Sequence, residues 1–404
     1  MTGETGRRSM FATPLLRADT GRSRTPRLLS SRIESPGAVE IHLCARPASD
    51  AADLETQARS MYINLLRELR GHGAGPEDLV AEKLFLSDGA AQRRKLLEIR
   101  DELCGVGQDG PASAVTLLRQ PPVAPGQLCE VQAQAILPAE GRRFATRRLA
   151  GLPAGASGRV IEADGLRQIL LAAVTGDDNA SRPHGEALSM FLRADELLQR
   201  EGFSFGDVVR TWIYITDIDR DYGSLNAARR EFFETRRIDP SPASTGIQGS
   251  MHITRRRFGL DLRAVAGSGP LRVAPFSAPS LNEAPSYGSD FSRGTRVDLG
   301  DRSILYVSGT ASIDTQGRVV HVGDIEGQVN RMLLNVEQLL AGQGAGYADL
   351  VSAITYLKRG EDRDLFRRVA RQRGLPPELP NTLCVADVCR PEWLCEIEAT
   401  AVLV

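Results

Sequence analysis

Near the end of the chain, the run Leu394-Cys395-Glu396-Ile397 sets one acid among apolar neighbours. A carboxyl group enclosed in that way keeps its proton near neutral pH and can deliver it to carbon or to a leaving group. The same residues also suit a half-buried strand whose Glu simply faces water. Two arginines are candidates to hold a carboxylate ligand: Arg210 opens the aromatic run Thr211-Trp212-Ile213-Tyr214, and Arg293 closes a loop holding Ser286-Tyr287-Gly288 and Phe291-Ser292. A guanidinium offers paired N–H donors in the geometry a carboxylate accepts, although a surface position is the commoner fate of an arginine. Tyr287 either gives its hydroxyl to a ligand or packs on a sheet. In Ser308-Gly309-Thr310-Ala311, Gly309 either lets backbone approach a ligand or marks a β-bulge. Cys389 offers a thiol for polar contact, or only the shape of a small apolar side chain.

The elements that must position these residues are written three times. Gly73-Ala74-Gly75-Pro76-Glu77-Asp78-Leu79-Val80 returns as Gly202-Phe203-Ser204-Phe205-Gly206-Asp207-Val208-Val209, and again as Gly344-Ala345-Gly346-Tyr347-Ala348-Asp349-Leu350-Val351. Before it, Gln57 to Leu69 and Gln328 to Leu340 carry apolar residues at helical spacing. The Gly supplies a left-handed helix end, and the Asp marks a turn into the next strand. Each copy then reads as hairpin, helix, strand, helix, strand, and closes on a strand with an acid at a matching place: Glu130, Asp261 and Glu396. The expected architecture is α/β (α+β), three small units whose sheets pack against helices around a pseudo-three-fold axis.

At 404 residues the chain has room for about three domains of roughly 100–150 residues. We assign 1–36 to a disordered tail, 37–138 to a first, structural unit, 139–158 to a linker, 159–268 to a second unit and 269–404 to a third, catalytic one. A net charge of −1 argues against a nucleic-acid footprint. No run reaches the length of a membrane span and no signal-peptide core precedes a cleavage site, so no membrane partner is expected and the location is cytoplasmic. The tail is rich in Arg, Ser, Thr and Pro, and a basic targeting peptide is its alternative reading. Six cysteines without a CxxC pair and five scattered histidines give no metal-ligand spacing, and there is no phosphate loop or dinucleotide fingerprint. His321 precedes Gly323-Asp324, where Asp324 is better read as a helix N-cap. No metal and no cofactor are expected.

Tyr306-Val307-Ser308-Gly309-Thr310-Ala311-Ser312, the helix from Asp324 to Leu340 and the terminal Cys395-Glu396-Ile397-Glu398-Ala399 resemble the Rid (reactive intermediate deaminase, YjgF-like) family, small α/β proteins that form trimers with sites between subunits. From about residue 160 onward the chain is more specifically similar to the chorismatases, through Arg210 to Tyr214, Pro242-Ala243-Ser244-Thr245-Gly246-Ile247, the loop from Ser286 to Arg293, Ser308 to Ala311, His321-Val322-Gly323-Asp324, and Cys389-Arg390-Pro391. The first copy is then an additional Rid-like unit, with Glu130 in the place of Glu396 but without the Cys-Arg-Pro companion. The resemblance implies hydrolysis of chorismate, with Glu396 as general acid toward the enolpyruvyl methylene and Cys389 beside it. Arg210, Tyr214, Tyr287, Arg293, Ser308, Gly309, Thr310 and Ala311 would bind substrate. Gly309 with Cys389 looks like the branch that releases pyruvate and 3-hydroxybenzoate rather than a dihydroxycyclohexadiene carboxylate. Rid deaminases place an arginine just after a proline before the last strands; here Pro111-Ala112-Ser113, Pro242-Ala243-Ser244 and Pro380-Asn381-Thr382 lack it. An enamine or imine hydrolase therefore needs an arginine from elsewhere, and a metabolite-binding protein without turnover is the remaining alternative. The implied partner is a small molecule, bound by a monomeric pseudo-trimer or a homo-oligomer.

Overall fold

The computed structural model describes residues 27–48, 53–87, 90–105, 113–177, 182–251, 256–282 and 290–404. The first unit comprises β1 (Leu28–Glu34), β2 (Ala38–Ala45), α1 (Leu54–Gly71), β3 (Leu79–Leu86), α2 (Ala90–Cys104), β4 (Ala114–Arg119) and β5 (Cys129–Pro138). The second runs through β6 (Phe144–Arg148), β7 (Ser157–Ala163), β8 (Leu166–Val174), α3 (Pro183–Arg200), β9 (Val208–Ile215), α4 (Ile218–Arg236), β10 (Ala243–Gln248), β11 (Ser250–Met251) and β12 (Phe258–Gly267). The third holds β13 (Arg272–Phe276), β14 (Gly294–Asp298), β15 (Ser303–Thr310), α5 (Ile325–Ala341), β16 (Leu350–Leu357), α6 (Arg363–Gln372), β17 (Asn381–Val385) and β18 (Cys395–Leu403). They form three six-stranded sheets, ordered β1-β2-β5-β3-β4-β11, β10-β9-β12-β8-β7-β6 and β13-β14-β15-β18-β16-β17. In each, one parallel pair (β3 with β4, β9 with β10, β16 with β17) is what the helical crossover of the repeat requires.

The repeated phrase has a local cause. Gly73, Gly202 and Gly344 sit at φ +76°, +72° and +73°, the left-handed region that ends each preceding helix. The Asp78, Asp207 and Asp349 carboxylates then accept the backbone N–H of Gly75, Ser204 and Gly346 at 2.8, 2.7 and 2.8 Å, closing a 3₁₀ turn that aims the chain into the next strand. In α5, Asp324 accepts the Gly327 N–H as the N-cap, and Val329, Met332, Leu333, Val336, Leu339 and Leu340 bury one stripe against the sheet. Alternate residues of β18 divide accordingly: Cys395, Ile397, Ala399 and Ala401 join the core under the helices, whereas Glu396 and Glu398 turn toward the second unit.

Three expectations need correction. The tail does not reach residue 36, because Leu28–Glu34 pairs along its whole length with β2 and is half-buried; residues 1–26 lie outside the described residues. The stretch from 139 to 158 is not only a linker, since Phe144–Arg148 is the edge strand β6 on β7. Asp261 does not match Glu396: it pairs with Trp212 as Glu398 pairs with Ile354, while the residue opposite Tyr214, as Glu396 is opposite Tyr356, is Gly259. Glu130, opposite Phe85, is the true counterpart of Glu396. Among the described residues no helix is long and apolar enough to cross a membrane.

The units are locked together by buried polar contacts. Arg302 of the third unit donates from Nε to Glu40 of the first at 2.7 Å and from Nη1 to Ser35 at 3.2 Å, and both charged side chains are buried. Removing one partner of a buried pair leaves an uncompensated charge, a loss of about 3–5 kcal/mol. Arg302→Met should thus lower the first thermal transition, and adding Glu40→Leu should restore most of it; an unchanged melting profile for Arg302→Met would show that the pair does not hold the units.

Candidate active site

The β15–β18 ladder pairs Val307 with Ala399 and resumes at Thr310 with Ile397, so Ser308 and Gly309 together oppose Glu398. This two-against-one arrangement is a β-bulge, and it redirects Gly309 toward Glu396. A Cβ at Gly309 would lie 2.2 Å from Glu396 Oε1 and 3.2 Å from Thr245 Cγ2. The bulge reading of Gly309 holds, and the space that glycine leaves is taken by the carboxyl group of Glu396.

Glu396 is 4% exposed and has no hydrogen bond or ion pair within 4 Å among the described residues. Burial, reinforced by the nearby Glu398 carboxylate, pushes its carboxyl up to about 8, while Arg210 and Arg293 pull weakly the other way. It is accordingly a protonated acid near neutral pH. It faces a pocket at the seam between two units. The second unit supplies Tyr222 and Arg229 from α4 with Ser244 and Gly246 from β10; the third supplies Phe291, Arg293, Gly309, Ala311, Ile313, Cys389, Trp393 and Glu396. The space they enclose is about 30 Å³, on the order of one water molecule.

The expected site residues divide. Glu396, Cys389, Arg293, Gly309 and Ala311 line the pocket together. Arg293 is buried, donates from Nε and Nη2 to the carbonyl and side-chain oxygens of Asn282 at 2.8 and 3.1 Å, and lies 5.6 Å from the Phe291 ring centroid. The Cys389 thiol hydrogen-bonds with Tyr222 and is pushed up to about 12 by burial and then by Glu396, so it is a neutral thiol and not a nucleophile. Ser308 does not line the pocket; its hydroxyl donates to the Ser292 carbonyl at 2.6 Å and accepts the Ser244 N–H at 2.9 Å, stitching the Arg293 loop to both units. Thr310 bonds the Ser308 carbonyl at 2.8 Å and is structural.

Two expected ligand-binding residues have protein partners. Arg210 is buried but donates to Glu398 at 3.0 Å and Thr245 at 2.6 Å, and Trp212 Nε1 donates to the same Glu398 at 2.6 Å; Arg210 thus neutralises the acid beside Glu396 instead of lining the pocket. Tyr214 gives its hydroxyl to Asp261 at 2.9 Å inside the core. Tyr287 lies outside the described residues. The sequence reading missed Arg229. It is buried, leaves Nε without a hydrogen-bond partner among the described residues, and places its guanidinium 5.7 Å from the Phe291 centroid, on which Arg293 also lies. An available signal was its spacing, since Leu225, Arg229 and Phe233 repeat every fourth residue along the buried stripe of α4.

The two counterparts of Glu396 are closed. Glu130 pairs with Arg46 at 3.1 Å and accepts from the Cys44 thiol at 2.9 Å and Gln127 Nε2 at 2.8 Å. At Gly259 the Met251 side chain occupies the position a Cβ would take. Of three pseudo-equivalent positions, one keeps an unpaired acid beside a pocket.

Residues 282–403 match the family model described as endoribonuclease L-PSP. The 3-hydroxybenzoate synthase of Streptomyces hygroscopicus is 32% identical over 231 residues, covering 50% of this chain and 65% of that protein, so the chain spans under two thirds of that relative. The 3-aminoacrylate deaminase RutC of Acinetobacter baylyi is 30% identical over 100 residues, 24% of this chain and 79% of the relative. A chorismatase crystal structure superposes with a TM-score of 0.61 at 18% identity, covering 91% of this chain and 99% of the other. The chain belongs to the Rid superfamily, as three tandem units. Within it the chain is similar to the chorismatases, and the 91% coverage corrects the expectation that the first unit is an addition beyond their fold.

A folded-state carboxyl at about 8, against the ordinary 4.5 of a free glutamate, binds its proton more tightly in the native protein, so its contribution to stability is complete below 4.5 and is lost as the pH rises to about 8. Glu396→Gln should flatten the fall in melting temperature between pH 5 and pH 8 and melt higher than the parent at pH 8.5. Parallel profiles for the two proteins would place the Glu396 proton elsewhere.

Proposed function

We propose that this chain converts chorismate, with Glu396 delivering a proton to the methylene carbon of the enolpyruvyl group. The observation that carries the proposal is the uncharged, unpaired Glu396 sharing its pocket with Arg229 and Arg293. A dicarboxylate substrate calls for two guanidinium groups, and two lie within 5.7 Å of the Phe291 ring centroid. Protonation of carbon leaves a cation stabilised by the ether oxygen. If the ring hydroxyl then displaces the side-chain oxygen, pyruvate departs, an arene-oxide-like ring opens and aromatises, and 3-hydroxybenzoate forms with no net uptake of water. If water attacks the cation, one water is consumed and the dihydroxycyclohexadiene carboxylate remains.

The wall at Gly309, Ala311 and Ile313 is apolar, which favours the internal route by giving water no side-chain partner on that side. The neutral Cys389 thiol, held by Tyr222, fills the adjoining wall. Because the enclosed volume is about 30 Å³, a ring-sized substrate enters only as the wall rearranges. No step calls on a metal or a cofactor; the chemistry asks for one proton donor and charge complementarity.

A second reading has a specific support. Arg229 and Arg293 stand by Ser244, so they supply the carboxylate-binding arginine that Pro242-Ala243-Ser244 lacks for enamine or imine hydrolysis. Incubation with chorismate and with a 2-aminoacrylate-type enamine separates the two. Pyruvate and 3-hydroxybenzoate from chorismate support the first reading, ammonia from the enamine alone supports the second, and saturable binding with neither product supports a metabolite-binding protein.

General acid catalysis contributes about 10²–10⁴-fold, so Glu396→Gln should lose that much turnover while retaining affinity, and Glu130→Gln should be nearly silent. Arg229→Lys and Arg293→Lys should raise KM, since a point charge does not reproduce a bidentate fork. Near-normal pyruvate release by folded Glu396→Gln would remove Glu396 from the role. Gly309→Ala should also lower kcat, because its methyl group displaces the Glu396 carboxyl; full activity in that variant would refute the close approach.

A further inference from the structure

A second cavity of about 100 Å³ lies where all three sheets meet, and it shares no lining residue with the Glu396 pocket. Its wall includes His42 and Lys83 from the first unit, Trp212, Asp261 and Arg263 from the second, and Tyr306 from the third. Lys83 Nζ lies 3.7 Å from the Trp212 ring centroid and 4.0 Å from Asp261 Oδ2, yet it is buried and has no hydrogen-bond partner among the described residues. His42 Nε2, 3.7 Å from Glu40 Oε2, and Arg263 Nε are buried without a hydrogen-bond partner among the described residues, while the Arg263 Nη atoms donate to Tyr306 and Gln134. An ammonium carries three donors and no acceptor, so the unmet demand at this wall is for an acceptor.

The charge balance points the same way. The other charges around the cavity are matched: Glu40 with Arg302 at 2.7 Å, Glu82 with Arg100 at 2.7 Å and Glu398 with Arg210 at 3.0 Å. Of the two cations on the wall, Lys83 has its nearest carboxylate, Asp261 Oδ2, at 4.0 Å, and Arg263 donates to the neutral Tyr306 and Gln134. Burial pulls Lys83 down to about 8, as expected of a cation without a close counter-charge. The space exceeds the roughly 30 Å³ share of one water and suits a halide, nitrate or a short carboxylate.

We propose that the axial cavity binds one small monovalent anion through Lys83 and Arg263. Because its walls come from all three units, the bound ion ties their inner faces together, and occupancy raises the stability of the assembled chain by mass action. The proposal is independent of the reaction at Glu396.

Crystals of the full chain grown in sodium bromide test it directly. The expected result is an anomalous peak in the axial cavity within hydrogen-bonding reach of Lys83 Nζ. Ordered water there without an anomalous signal, with bromide confined to the surface, would overturn the proposal. In solution, bromide exchanged for sulfate at constant ionic strength should raise the melting temperature of the chain by ~2 °C or more. Lys83→Met should abolish that rise and Glu396→Gln should retain it. An equal rise in Lys83→Met would mean a non-specific salt effect and reject the site, and should that variant fail to fold, the anomalous map of the parent decides alone.

Discussion

The three sheets carry helices on one face and meet each other on the opposite face, so charged side chains on the inner faces must find their partners inside the protein. That constraint explains most of the polar interior. Glu40 meets Arg302, Glu82 meets Arg100, Glu398 meets Arg210 and Glu130 meets Arg46. Each pair forfeits hydration and recovers it through Coulombic attraction and hydrogen bonds of good geometry. Glu396 departs from that pattern, since no guanidinium pairs with it and burial keeps it protonated near neutral pH.

The exception is supported by the residues around it. Arg210 is close enough to influence Glu396 but is committed to Glu398, Thr245 and the face of Trp212. Were Arg210 free to pair with Glu396, the acid would ionise. The bulge at Ser308-Gly309 then provides the space for the Glu396 carboxyl, and Ser308 fixes the Arg293 loop across the seam. One strand irregularity thus places the acid, and a neighbouring ion pair keeps it neutral.

Pseudo-symmetry makes the specialisation visible. The same ladder position holds Glu130 in the first unit, Gly259 in the second and Glu396 in the third. Salt-bridging closes the first, and Met251 fills the second. A Rid-like trimer of identical subunits would repeat one site at every seam, whereas fusing three units in one chain allows two seams to be given to cohesion and one to chemistry.

The sequence by itself determined the repeated unit, because a left-handed Gly, an Asp-closed turn and a helical apolar stripe are all local requirements visible in consecutive residues. It also marked Glu396, Arg293, Gly309, Ala311 and Cys389, which lie in short motifs of the third unit. Only the tertiary structure decided which arginine does what. Arg210 and Arg229 are both buried, and nothing in their neighbours reveals that one meets Glu398 while the other lines the pocket, since those partners are far apart in the chain. The match of Asp261 to Glu398 was hidden for a related reason. Strand register is set by the ladder between strands, and a shift of two residues keeps the same face of the sheet, so the alternation of polar and apolar residues reads the same either way.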